Sequence, residues 1–274
     1  MKSKKRLLIG LALMLTIALL FFITKNKQST ASYEINKTPT LFIHGYTGTE
    51  RSFKGMISRF ENKEDGAKRI LTCYASKAEV MCQPNGKTNV EKPLIQVIFN
   101  ESDLSVEATS QVFAQVMNTL KTEYEIENVN IVAHSMGGLV SAKYIEDYAG
   151  LPKVKKLVTI GTPFHGIRKY DFHQRFGQAN APDLYENSMA TKDLLSDRQS
   201  FDSHIKVLAI AGKLSKHGGD GLVTVRSATG IKDIIKDENY SEKIIKDERS
   251  SHSGLHEHEE VDKYVSEFVW QASK

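Results

Sequence analysis

Four short apolar runs constrain how this chain can fold. "PTLFIHGYTGT" (39–49), "NVNIVAH" (128–134), "VKKLVTIGTP" (154–163) and "HIKVLAIAG" (204–212) are β-branched and nearly continuous in apolar character. A half-wet strand alternates polar and apolar residues, whereas runs of this kind indicate parallel strands buried on both faces. Helical patterns lie between them. Val106, Thr109, Phe113, Val116 and Leu120 recur at three- and four-residue spacing, and a helix following Ser135 stops at Gly150 before Pro152. Val261, Tyr264, Val265 and Phe268 mark a closing helix with one apolar face. Strands alternating with helices predict an α/β fold, a doubly wound, mostly parallel sheet with helices on both faces. Such sheets bind ligands beyond the carboxyl ends of their strands.

Ser135 falls at such an end, in "NIVAHSMGGLVS". A serine there can simply cap the helix it precedes. Its neighbours point further: Ala133 and Gly137 are the small residues that a strained strand–turn–helix elbow requires, in a relaxed G-x-S-x-G. A serine hydroxyl becomes a nucleophile when a base takes its proton and a carboxylate orients the base. On this scaffold the chain order is Ser, then Asp or Glu, then His. Asp220 follows the fourth run in "GKLSKHGGDGLVTVRSA", where glycines let a carboxylate turn back, although an Asp-Gly turn is the simpler alternative. "RSSHSGLHEHEEV" offers His252, His256 and His258. His252 is the expected base, midway between a last strand near Lys243–Asp247 and the closing helix, with Ser251, Ser253 and Gly254 beside it. His256 is the runner-up, since Leu255 can turn it inward, while His256 and His258 both lie among acids where solvated histidines are ordinary. Oxyanion donors would be the backbone N–H of Met136 and of Tyr46, which follows His44-Gly45. His44 is expected to order that loop from the core.

The net charge of +4 comes from the first 28 residues, which hold six basic side chains and no acid; the remainder carries 31 basic against 33 acidic residues. That balance does not suit a nucleic-acid binder. The uncharged run Leu7–Thr24 would span about 27 Å as a helix, close to the thickness of a bilayer's hydrocarbon core. Basic residues before and just after it favour a single anchor with the body outside, or a secreted body if the segment is cleaved. The expected organisation is therefore an anchor or signal at 1–28, a tether at 29–36 and a folded body at 37–274. Within the body, residues 164–204 lack a strong strand and form an insertion or lid. Phe164, Tyr170, Phe172, Phe176 and Tyr185 there either line an acyl pocket or pack the insertion down, and "SMATKDLLSD" suits a short helix. Cys73 and Cys82 face one another if "RILTCYASKAEVMCQ" is a hairpin centred on Lys77-Ala78, leaving a disulfide and two buried thiols as equal alternatives.

The motifs "FIHGYTGT", "AHSMGGLVS", "IGTPFHG", "GDGLVTVRSA" and "HSGLHEHEEV" occur in that order across the body. Together they resemble the α/β-hydrolase superfamily, especially small bacterial lipases and esterases. They are more similar still to a family assigned as membrane-anchored surface hydrolases of Gram-positive bacteria with undefined substrates. The resemblance implies a serine hydrolase acting on a small-molecule or lipid ester, without cofactor or metal. It also supports His252, since small bacterial lipases place their histidine in a similar segment nine residues before a helix valine, here Val261. Alternatives are an amide or thioester hydrolase with the same residues, and a binding protein that has kept the scaffold. A zinc hydrolase is a poorer match, because "HEHEE" puts Glu260 where the helical H-E-x-x-H pattern needs its second histidine.

Overall fold

The computed structural model describes residues 35–64, 66–196, 201, 204–215 and 218–271. The expected anchor and most of the tether lie outside the described residues. Among the described residues no helix is long and apolar enough to cross a membrane.

The strands are β1 (Thr40–Ile43), β2 (Ala67–Ala75), β3 (Val80–Pro84), β4 (Lys92–Phe99), β5 (Asn128–His134), β6 (Lys153–Ile160), β7 (Lys206–Gly212) and β8 (Tyr240–Ile245). They form one eight-stranded sheet in the order β3-β2-β4-β1-β5-β6-β7-β8. Every pairing is parallel except β2 with β3. The four apolar runs of the sequence are β1, β5, β6 and β7, at the centre and to one side. Their residues are buried on both faces: in β1, Leu41, Phe42 and Ile43 are all fully buried. Successive side chains leave a strand in opposite directions. Phe42 accordingly packs on Phe53 and Phe60 of α1 (Arg51–Lys63), in a core cluster that also takes in Met56 and Ile57 of that helix and Val261, Val265 and Val269 of α7 (Glu259–Trp270). Two more helices, α2 (Val106–Tyr124) and α3 (Met136–Asp147), pack against each other, with the Phe113 and Tyr144 rings 5.0 Å apart. The doubly wound fold is as expected.

The chain leaves β1 for β2–β4 on one side and returns to β5–β8 on the other, so the sheet reverses its winding between β1 and β5. A crevice opens at the carboxyl ends of strands at such a point. The loop bearing Tyr46 and the turn bearing Ser135 flank it.

Several elements differ from the sequence reading. The last strand is Tyr240–Ile245, about three residues earlier than expected, because as an edge strand it leaves Ser241 to Ile244 exposed and carries little apolar pattern. β4 and α1 had no counterpart in that reading. The insertion contains α4 (Lys169–Phe176), a 3₁₀ turn (Pro182–Leu184) and α5 (Met189–Ser196), the last matching the short helix expected there. A four-residue helix, α6 (Val225–Ala228), follows Asp220 in the chain. Cys73 and Cys82 lie directly opposite one another on β2 and β3 and are joined by a disulfide.

Candidate active site

β5 delivers Ser135 to the end of the sheet, and the turn there is strained. Ser135 has φ 55° and ψ −129°, a conformation that a residue with a Cβ rarely adopts. Its side chain makes no capping hydrogen bond to α3, so the capping explanation fails. Close packing fixes the turn. A Cβ on Gly137 would lie 2.6 Å from the carbonyl oxygens of both Ile43 and His44, so only glycine lets α3 start so near β1. A Cβ on Gly45 would lie 2.6 Å from the Ser135 Cβ. The bare Gly45 backbone thus lies directly against Ser135, one residue before Tyr46.

The other expected residues converge on Ser135. The Asp220 carboxylate accepts from the His252 Nδ1–H at 2.8 Å, and His252 Nε2 stands 3.0 Å from Ser135 Oγ. A carboxylate can only accept, so the His252 proton is on Nδ1 and its Nε2 lone pair is free to take the hydroxyl proton. The second carboxylate oxygen, Oδ1, accepts from the amides of Leu222 at 2.9 Å and Val223 at 2.7 Å. Asp220 is therefore a satisfied buried acceptor, oriented by its own turn. All three residues are buried, with Ser135 6 % and His252 7 % exposed.

Met136 is the first residue of α3, where an amide has no acceptor within its helix. Among the described residues, neither its N–H nor that of Tyr46 has a backbone acceptor. His44 lies beneath the Tyr46 loop, donating from Nδ1 to the Gly45 carbonyl at 2.9 Å and accepting from the Phe99 amide at Nε2, 3.0 Å away. Burial holds its pKa below the ordinary histidine value. It orders the loop from the core, as expected.

Of the other two candidates, neither His256 nor His258 is solvated; for His258 this corrects the expectation, and for His256 it favours the inward turn that Leu255 offered. His258 is 3 % exposed and caps α7 by accepting from the Glu260 amide. His256 turns inward: its ring lies 4.8 Å from that of His134 and 6.0 Å from that of Phe53, and burial lowers its pKa. Acidic neighbours in the sequence suggested exposure, but α1 covers this turn. Arg59 of α1 donates to the His256 carbonyl at 3.0 Å, to Glu257 at 2.8 Å and to Asp262. That guanidinium ties the segment after His252 to the domain, a role no local motif announces.

The insertion aromatics divide. Phe164 and Phe172 are fully buried, whereas Tyr170 is 73 % exposed. Phe172 and Phe176 of α4 pack on Tyr46 with ring centroids 5.7 and 5.3 Å away. Arg175 of the same helix donates to Ser253 Oγ at 2.6 Å, beside His252. Helix α4 thus touches both loops that flank Ser135. A separate cavity of about 550 Å³ between the insertion and α6, lined by His165, Lys192, Thr224 and Arg226 among others, does not include Ser135.

Over residues 27–272 the sequence matches the family described as alpha/beta hydrolase of unknown function (DUF915). The chain belongs to that family. Solved structures agree. The product of gene lin2722 from Listeria innocua is 25 % identical with a TM-score of 0.76, over 87 % of this chain and 96 % of that one. The "putative cell surface hydrolase" from Lactobacillus plantarum is 16 % identical with a TM-score of 0.69, over 86 % and 93 %. A lipase-esterase related protein from Clostridium acetobutylicum is 17 % identical with a TM-score of 0.53, over 85 % and 94 %. No curated protein matches this α/β-hydrolase.

Proposed function

We propose that the protein cleaves carboxylic esters through an acyl-enzyme on Ser135, with His252 as general base and acid and Asp220 orienting it. The reading rests on one observation, the unbroken relay from Ser135 Oγ to His252 Nε2 at 3.0 Å and from His252 Nδ1 to Asp220 Oδ2 at 2.8 Å. In this mechanism Ser135 Oγ attacks the ester carbonyl as its proton passes to His252 Nε2. The oxyanion that forms is met by the amides of Tyr46 and Met136. Collapse breaks the C–O bond, and the proton on His252 leaves with the alcohol. Water, deprotonated by the same imidazole, then releases the acid and restores the serine.

The elbow's strain favours this reading over a binding protein, because a residue at φ 55° that makes no cap has no structural reason to be serine. Small-molecule and lipid esters are the substrate class we assign; the lipase-esterase related neighbour lends support at the level of fold. The test is a serine-directed phosphonate applied to the full-length protein in detergent, followed by a panel of acyl esters. Labelling of wild type and not of Ser135→Ala is expected; a folded wild type that takes up no phosphonate overturns the proposal.

For location, we propose that residues 7–24 anchor the protein in the cell membrane with the hydrolase domain outside. The basic flanks of that run and the Cys73–Cys82 disulfide, a bond typical of oxidising compartments, both support it. Protease added to wall-free intact cells should digest the body, and its full protection would reverse the orientation.

A further inference from the structure

His134 is the last residue of β5, a strand whose neighbouring Val129, Ile131, Val132 and Ala133 are fully buried. A histidine in that setting loses its hydration and needs a specific partner. By strand alternation its side chain leaves on the same face as Val132, the face covered by α1 and α7. There its Nε2 lies 2.9 Å from the main-chain carbonyl oxygen of His252. A carbonyl only accepts, so Nε2 carries the proton and donates it. The ring also packs on the His252 ring with centroids 4.7 Å apart. Burial, with the His252 and His256 rings close by, holds its pKa well below the ordinary histidine value, so the ring is neutral.

We infer that His134 is a positioning residue for the base, fixing His252 against Ser135 through its hydrogen bond to the His252 backbone. The inference rests on the assignment of Ser135 and His252 as the reacting pair. Its physical basis is a short closed circuit. Residue 134 is covalently joined to the nucleophile and hydrogen-bonded to the main chain of the base, while the two side chains meet at 3.0 Å. Ser135 and His252 are 117 positions apart in sequence, yet the circuit holds their separation with one rigid strand end. Without it, the loop between β8 and α7 would be tied near the site through the hydrogen bond of the His252 amide to Asp220, on the far side of the imidazole from Ser135. A base must stay within about 2.6–3.2 Å of the proton it takes, and misplacement by about 1 Å can cost roughly 100-fold in rate. A neutral donor is also the right choice here, because a cation at 134 would oppose the imidazolium that forms on His252.

The variants are His134→Leu, similar in volume without a donor, and His134→Gln, whose amide nitrogen can reach the place of Nε2. Phosphonate labelling rates of the full-length protein, with kcat and KM for an ester, give the readout. We expect His134→Leu to label about 10- to 100-fold more slowly with kcat lowered and KM unchanged, and His134→Gln to recover most of the rate. Wild-type labelling by folded His134→Leu, or a Gln variant no faster than Leu, overturns the inference while leaving the proposed function intact. If His134→Leu does not fold, His134→Gln against His134→Asn makes the same comparison, since asparagine is too short to reach the carbonyl. If wild type itself is not labelled, the proposed function fails. Nitrogen-15 spectra of the imidazoles then decide separately: a neutral ring protonated on Nε2 at residue 134 supports the inference, and a proton on Nδ1 overturns it.

Discussion

Asp220 and His252 are joined twice: the His252 amide donates to the Asp220 carbonyl oxygen at 2.9 Å, and their side chains meet at 2.8 Å. The backbone bond brings the loop to the carboxylate, and the side-chain bond sets the ring. Because Oδ1 is already held by the amides of Leu222 and Val223, an asparagine at 220 would place its carbonyl there and its NH₂ towards His252. The imidazole would have to move its proton to Nε2 and lose its acceptor for the serine. Asp220→Asn is expected to lower kcat by about 10,000-fold with little change in substrate affinity, as the corresponding change does in a well-studied serine protease. Steady-state kinetics on an ester substrate check this, and His256→Ala in the same assay should retain most activity.

The strain at Ser135 predicts an inversion of the usual order of glycine and alanine. Glycine in an ordinary position is less stable than alanine by about 0.5–1 kcal/mol, yet at φ 55° and ψ −129° the Cβ itself is the liability. Ser135→Gly should therefore be more stable than Ser135→Ala, by about 1 kcal/mol. Urea unfolding of the two variants, both unreactive to phosphonate, measures the difference.

Acid should destabilise the fold through its buried histidines. His44, His134 and His256 all have pKa values lowered mainly by burial, so between the unfolded value of about 6.5 and each lowered folded value the unfolded chain binds more protons. Their contribution is complete above the unfolded pKa and is lost as pH falls towards the folded ones. Unfolding free energies measured from pH 7 down to pH 5 should fall, and His134→Gln should reduce the proton uptake on unfolding by up to about one.

Reduction of the disulfide should loosen the fold without touching the chemistry. Cys73 and Cys82 close a loop with a sequence separation of nine, for which loop-closure entropy gives about 2–3 kcal/mol. Replacing both cysteines by serine should lower the unfolding free energy by about that amount in chemical denaturation, and esterase activity of the folded protein should be unchanged.

What the sequence made legible follows from range. The elbow at Ser135 is a local pattern of small residues, and the central strands β1, β5, β6 and β7 are readable because burial on both faces leaves an unbroken apolar signature. Asp220 and His252 were readable by order along the chain and by the small residues around them. β8 was displaced because an edge strand has no buried face to show. The inward turn of His256 was one of two alternatives in the sequence, and the contact that accompanies it, Arg59 on the His256 carbonyl, is almost two hundred positions away. His134 was in plain view, a polar residue closing an apolar strand beside the serine, and only its partner across the fold gives it meaning.

The covalent tie between β2 and β3 also bears on the rim of the sheet. Without β3, the backbone groups along one side of β2 would be open to pairing with another chain, a route to aggregation. A one-residue slip of β3 would swing Cys82 to the opposite face from Cys73, so the bond admits only the register observed. The outermost strand exposes Met81 at 50 %. Locked in place, it still screens β2 and cannot slide or peel away to offer β2 as a template. At the far rim, β8 presents Glu242 and Lys243 to solvent, so charge discourages there what a covalent bond prevents here.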